Sequence, residues 1–202
     1  MQKDQQQELL QRKAVMQDKL AVKNFITTQI LDWLPVYDYL LAHHIRHTLR
    51  YLTCTNQQLQ PYWEASLAQL PLEPYGFNTS QLYNGEVYTI LEKTDRLFPN
   101  TYPLRYVPDL PVLTDELIPP AVALAQAVDH LQLPDGEVYL FYQRFSPLLT
   151  IQLSDLIRHA DELINSWYAD TSICAADGSW MIFYSIEDIW YSGYPAATDK
   201  HP

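Results

Sequence analysis

The chain has 202 residues, of which 48% are hydrophobic and 13% aromatic, and a formal net charge of −11. That content suffices to bury a core and excludes general disorder, and no stretch reaches the roughly 18 consecutive apolar residues of a membrane span. Charge is regional: residues 1–60 hold seven Lys/Arg against five Asp/Glu, and residues 61–202 hold six against nineteen. Such an acidic field repels phosphate backbones, so nucleic acid is a disfavoured ligand and a basic protein is the natural complement.

The start, MQKDQQQELLQRK, lacks the apolar core of a signal peptide, so a cytoplasmic protein without a membrane anchor is expected. Residues 3–34 contain neither Gly nor Pro and read as one helix ended by Pro35. Leu9, Val15, Met16, Leu20, Val22, Ile26, Ile30, Trp33 and Leu34 share about half of its wheel, with Lys19 and Lys23 intruding. Such a helix packs on a partly open groove or projects its first turns. A second helix is expected from Val36 to Cys54 and a third from Leu59 to Leu70, which makes the first seventy residues all-helical.

At Pro71 the texture changes to an irregular, Pro- and Tyr-rich layer over 75–106. Inside it, Asn84-Gly85 flanked by 81–91 signals a hairpin, and Arg96–Leu113 reads as loop. Asp115 and Glu116 open a helix whose regular part begins at Pro119 and Pro120 and runs to Leu131. Glu137–Gln143 suits a strand, with Leu148–Gln152 as its neighbour. Ser154 is the expected cap of a helix that buries Leu156, Ile157, Ala160, Leu163, Ile164 and Trp167.

Two strands, Thr171–Ala175 and Ser179–Ser185, then flank the turn Ala176-Asp177-Gly178. Trp180, Ile182 and Tyr184 alternate with Met181, Phe183 and Ser185, so both faces of the second strand are apolar and the strand is interior. Periodicity is lost after Ala196. The predicted architecture is α+β in one domain, an N-terminal helical layer packed on an antiparallel or mixed β-sheet assembled from 80–92 and 137–192, with a C-terminal hairpin.

Chemistry-bearing patterns are sparse. His43, His44 and His47 would put two imidazoles on one helix face, but beside Arg46 and Arg50, which disfavours a dication and leaves a solvated basic face. Cys54 and Cys174 form no CxxC pair and are expected to be reduced and buried. The pairs Asp115/Glu116 and Asp161/Glu162 read as helix-start and exposed-face carboxylates. GxSxG, a phosphate-cradling glycine loop and a dinucleotide fingerprint are absent from the sequence, so no catalytic, cofactor-binding or metal-ligating residue is assigned.

What remains is an acidic, aromatic C-terminal surface. Asp177, Glu187, Asp188, Trp190, Tyr191 and Tyr194 are the candidate partner-binding residues, because Tyr and Trp beside acids suit a desolvated protein contact. The function expected is a non-catalytic acidic binding protein of immunity or antitoxin-like type that inhibits a basic toxin. The alternatives are a small-ligand binder or enzyme with a pocket under the 75–106 layer, and a structural module that self-associates through the first helix.

Overall fold

The computed structural model describes residues 2–29, 31–50, 59–70, 90, 93–102, 105–142, 148–165 and 170–195. The Asn84-Gly85 turn, Cys54, Trp167 and the tail from 196 lie outside the described residues. The fold is α+β, organised on a seven-stranded antiparallel sheet of order β1-β6-β5-β7-β8-β9-β4. Its strands are β1 (His47–Arg50), β4 (Val112–Thr114), β5 (Glu137–Tyr142), β6 (Leu148–Gln152), β7 (Thr171–Ala175), β8 (Met181–Tyr184) and β9 (Trp190–Gly193). A small separate hairpin pairs β2 (Asn100–Tyr102) with β3 (Arg105–Pro108).

Side-chain alternation along the central strands sets the layers. Leu49, Leu149, Leu140, Ile173 and Ile182 stand opposite one another across five strands, and the last three are wholly buried. On this face lie the ends of α1 (Gln2–Gln29) and α2 (Leu34–Ala42), with α3 (Gln60–Leu67), α5 (Pro120–Leu131), α6 (Leu153–Arg158) and α7 (Ala160–Asn165). The intervening residues Phe141, Cys174, Met181 and Phe183 point the other way, against Phe98 and Leu110 and the short helix α4 over 93–97. A strand that buries both faces needs cover on both, and each fully buried aliphatic chain contributes about 1.5–3 kcal/mol.

Several local expectations are corrected. Pro35 does not end a helix. It sits in the first turn of α2, where its missing N–H costs no hydrogen bond. The second helix stops at Ala42 rather than Cys54. His44 takes the left-handed conformation at φ 52°, the His44 amide donates to the Leu41 carbonyl and the Ile45 amide to the Leu40 carbonyl. This is a Schellman end, closed by contact of buried Ile45 with buried Leu40 in one core. The chain then pairs His47–Arg50 with β6, because an open sheet edge offers Leu49 a cross-strand neighbour that a helix would not.

Likewise, Arg96–Leu113 is not a loop: it ends α4, forms β2 and β3 and supplies β4 to the sheet beside β9. Ile90, expected in an extended arm, is helical. Asp115 and Glu116 precede α5 without joining it. Ser154 is not the cap of α6. Gln152 holds that position, and the Asp135 carboxylate, from the turn before β5, accepts the Ser154 amide at 2.9 Å. Asp161 performs the same service for α5, accepting the Ala121 amide at 3.1 Å. The 154–167 helix breaks at His159 into α6 and α7. Among the described residues, no helix is long and apolar enough to cross a membrane.

The end of α5 repeats the Schellman pattern with exposed Gln132 at φ 52°. A β-carbon in that conformation costs about 1–2 kcal/mol, partly offset by the unfolded-state freedom of glycine, so Gln132→Gly should stabilise the fold by about 0.5–1 kcal/mol in urea unfolding. Acidification supplies a second measurement. The Ser154 amide holds the Asp135 carboxyl below its ordinary value. Its contribution is therefore complete above the unfolded-state value near 3.9 and is lost as pH falls through the lower folded-state value. Asp135→Asn should lose stability less steeply than the parent below about pH 4.

Candidate functional site

The six C-terminal candidates divide between the two ends of β8. Asp177 occupies the β7–β8 turn, which precedes β8, and Glu187 and Asp188 occupy the β8–β9 turn, which follows it. Four strand residues at about 3.3 Å each separate the two turns, so they form no common patch.

Asp177 is engaged locally. Its carboxylate accepts the Ser179 amide at 2.9 Å; the Ser179 side chain, and then that amide, hold it below the usual carboxylate range, and the Asp177 carbonyl accepts the Lys93 ammonium at 2.6 Å. Gly178 follows at φ 75°, and a β-carbon there would lie 2.5 Å from the Leu97 Cδ1. The turn is thus clamped by α4, and the positive φ is what favours glycine there, since the tip of the Leu97 side chain can move aside.

The β8–β9 turn is differently built. The Ser185 amide donates to the Ile189 carbonyl and the Asp188 amide to the Ser185 carbonyl, at 2.9 and 3.0 Å. The buried Ser185 hydroxyl accepts the amides of Glu187 and Ile189, each at 3.3 Å. Asp170, just before β7, accepts the Ile186 amide at 2.9 Å. Asp188 adopts φ 61°, tolerable for Asp, and accepts a short hydrogen bond from the Tyr184 hydroxyl. Burial, and then the Asp188 carboxylate, push the Tyr184 hydroxyl well above its ordinary value, so the phenol stays protonated.

Trp190 lies beneath this turn. It is 1% exposed, with its ring centroid 4.5 Å from that of Tyr184, and it supports the turn as core rather than offering a face. Tyr191 is half-buried on the opposite side of the sheet, near Phe183. Tyr194 lies at the other end of β9. It is exposed, but its hydroxyl donates to the Leu131 carbonyl at 2.8 Å and closes the end of α5. What the turn presents is Ile186, 55% exposed, followed by exposed Glu187 and Asp188. Ile186, Asp170 and Ser185 were not legible as site residues, since Asp170 is brought in by strand pairing. Only the Ser185-x-Glu187 spacing carries a hint of a side-chain-stabilised turn.

The histidines do not share a helix face. His43 ends α2, His44 turns the chain, and His47 lies in β1 with its Nδ1 2.7 Å from the Ile45 carbonyl. His43 instead stacks near Tyr39, whose hydroxyl meets the His159 Nδ1 at 2.9 Å. Among the described residues, no group of three or more His, Cys, Asp or Glu could hold a metal ion.

Cys174 is buried in the second face of the sheet, and burial pushes its thiol up to about 12. It behaves as a small apolar side chain. Native protein treated with iodoacetamide at pH 8 should leave the Cys174 peptide unmodified, whereas urea-unfolded protein should be alkylated there, as peptide mass mapping would show. No family model, no curated protein and no solved structure matches this chain.

Proposed function

We propose that the protein is a non-catalytic binding protein of immunity or antitoxin-like type, which acts in the cytoplasm by engaging a basic protein through the β8–β9 turn. The observation that supports this reading is the turn itself: exposed Ile186 stands beside two exposed acids on a backbone whose amides at 186, 187 and 189 are held by the Asp170 carboxylate and the Ser185 hydroxyl. A preorganised turn loses little conformational freedom on binding, so more of the contact energy survives as affinity. Ile186 supplies an apolar centre, and Glu187 and Asp188 supply the rim that steers a cationic partner.

Asp170 and Tyr184 are positioning residues here, since they hold the Ile186 amide and the Asp188 carboxylate. The charge of the larger part of the chain, six Lys/Arg against nineteen Asp/Glu over 61–202, adds long-range attraction of the same sign.

The test compares proteins captured from the source cells by the parent chain and by a Glu187→Lys, Asp188→Asn variant. Asn keeps the tolerated left-handed conformation and a side-chain oxygen for Tyr184, so the turn should keep its shape. A basic protein held by the parent should be lost from the variant, and with the purified pair the association rate should fall about tenfold between low and physiological salt. Capture that is indifferent to both substitutions would sink the proposal, provided the variant's thermal unfolding matches the parent's.

A further inference from the structure

Besides exposed Leu10 and Val15 on its other faces, the first five turns of α1 expose apolar side chains that nothing among the described residues covers: Leu9 is 66% exposed, Met16 72% and Leu20 57%. At about 100° per residue these three fall within one narrow arc, together with Arg12, Lys13, Lys19 and Lys23. Asp18 lies on the opposite side of the helix, so every charge on the arc is positive. Arg12 is held in place by Glu8 at 2.6 Å, one turn earlier at the margin of the arc.

Farther along, Val22 and Ile26 turn into the core, and the arc runs into a groove of about 440 Å³ between α1 and α3. Ile26, Leu31, Ala65 and Leu70 give it apolar walls, and Lys19 and Lys23 stand at its edge. The Lys19 ammonium lies 5.3 Å from the centre of the Tyr62 ring, which fixes its position beside the groove. From Leu9 to Ile26 the part of this surface on α1 is about 26 Å long, at 1.5 Å per residue.

We infer that this stripe and groove dock an acidic amphipathic helix from another protein. The inference is independent of the β8–β9 turn, which carries the opposite charge. A narrow apolar row leading into a concave cleft matches the width and length of one helix. The positive rim specifies its flanks: Asp and Glu beside a Leu- or Ile-rich seam would place carboxylates against Lys13, Lys19 and Lys23. A second copy of α1 would set lysines against lysines, and an anionic membrane is flat and would meet the strongly acidic remainder of the chain.

Two synthetic three-heptad peptides with the same leucine seam, one flanked by glutamates and one by lysines, test this against the full-length protein labelled with nitrogen-15. The glutamate peptide should shift the amides of α1 and α3, and the lysine peptide should not. Lys13→Glu, Lys19→Glu, Lys23→Glu together should weaken the glutamate peptide about tenfold and create affinity for the lysine peptide. Met16→Asp, at a largely exposed position, should weaken the glutamate peptide without lowering the thermal midpoint, while Glu187→Lys should leave its binding unchanged. Equal binding of both peptides, or shifts that spare α1, α3 and the groove walls at Leu31 and Leu70, overturns the inference. So does a concentration-dependent dimer abolished by the lysine reversals, which gives the face to a second copy. Cosedimentation with phosphatidylserine vesicles that the same reversals abolish would give it to a lipid surface instead.

Discussion

β8 is buried on both sides, and the rest of the structure follows from that constraint. Met181, Ile182 and Phe183 are each 0% exposed, although they alternate between the two faces of the sheet. A strand in that position can satisfy its backbone only through ladders on both edges, supplied by β7 and β9. It can shield its side chains only beneath two layers. The helices assemble over Ile173 and Ile182, and α4 with Phe98 and Leu110 assembles over Cys174, Met181 and Phe183. Removing either layer would expose a whole row of aliphatic and aromatic side chains.

The acidity of the chain has a second origin besides surface solvation. Asp135, Asp161, Asp170 and Asp177 each accept a backbone amide, from Ser154, Ala121, Ile186 and Ser179 respectively. Two of these amides open helices whose own sequences carry no side-chain cap, and two lie in turns at the ends of β7 and β8. An ionised carboxylate is the strongest uncharged-backbone acceptor available to such positions. Four of the 24 acidic side chains therefore hold element ends and turns in place, and two others, Glu187 and Asp188, follow Ile186 in the β8–β9 turn.

The molecule thus carries two small surfaces of opposite sign. One is an acidic turn, held by hydrogen bonds to its amides, with exposed Ile186 beside its two acids. The other is a helical stripe, basic and apolar, that opens into a groove. Electrostatic fields of this kind discriminate partners by penalising the wrong sign as much as by attracting the right one.

Patterns of local periodicity were decisive in the sequence wherever the chain buries what it advertises. The strands over 137–142, 148–152 and 171–184, the helix at 120–131 and the interior position of β8 all follow from alternation, turn residues and proline placement. For α1 the intrusion of Lys19 and Lys23 left two outcomes open, packing on a partly open groove or projection of the first turns, and the structure exposes Leu9, Met16 and Leu20 while burying Val22 and Ile26. Only the tertiary structure could decide that His47–Arg50 is a strand, that β4 closes the sheet beside β9, and that the caps of α5 and α6 come from distant aspartates. Those outcomes depend on an open edge or an orphaned amide supplied by residues tens of positions away, and local sequence holds no record of such a neighbour. The same holds for the acidic turn. Sequence placed acids beside aromatics, but burial of Trp190 was settled by which face of β9 met the core, and exposure of Ile186 by its place in the turn before that strand, and both are properties of packing, not of composition.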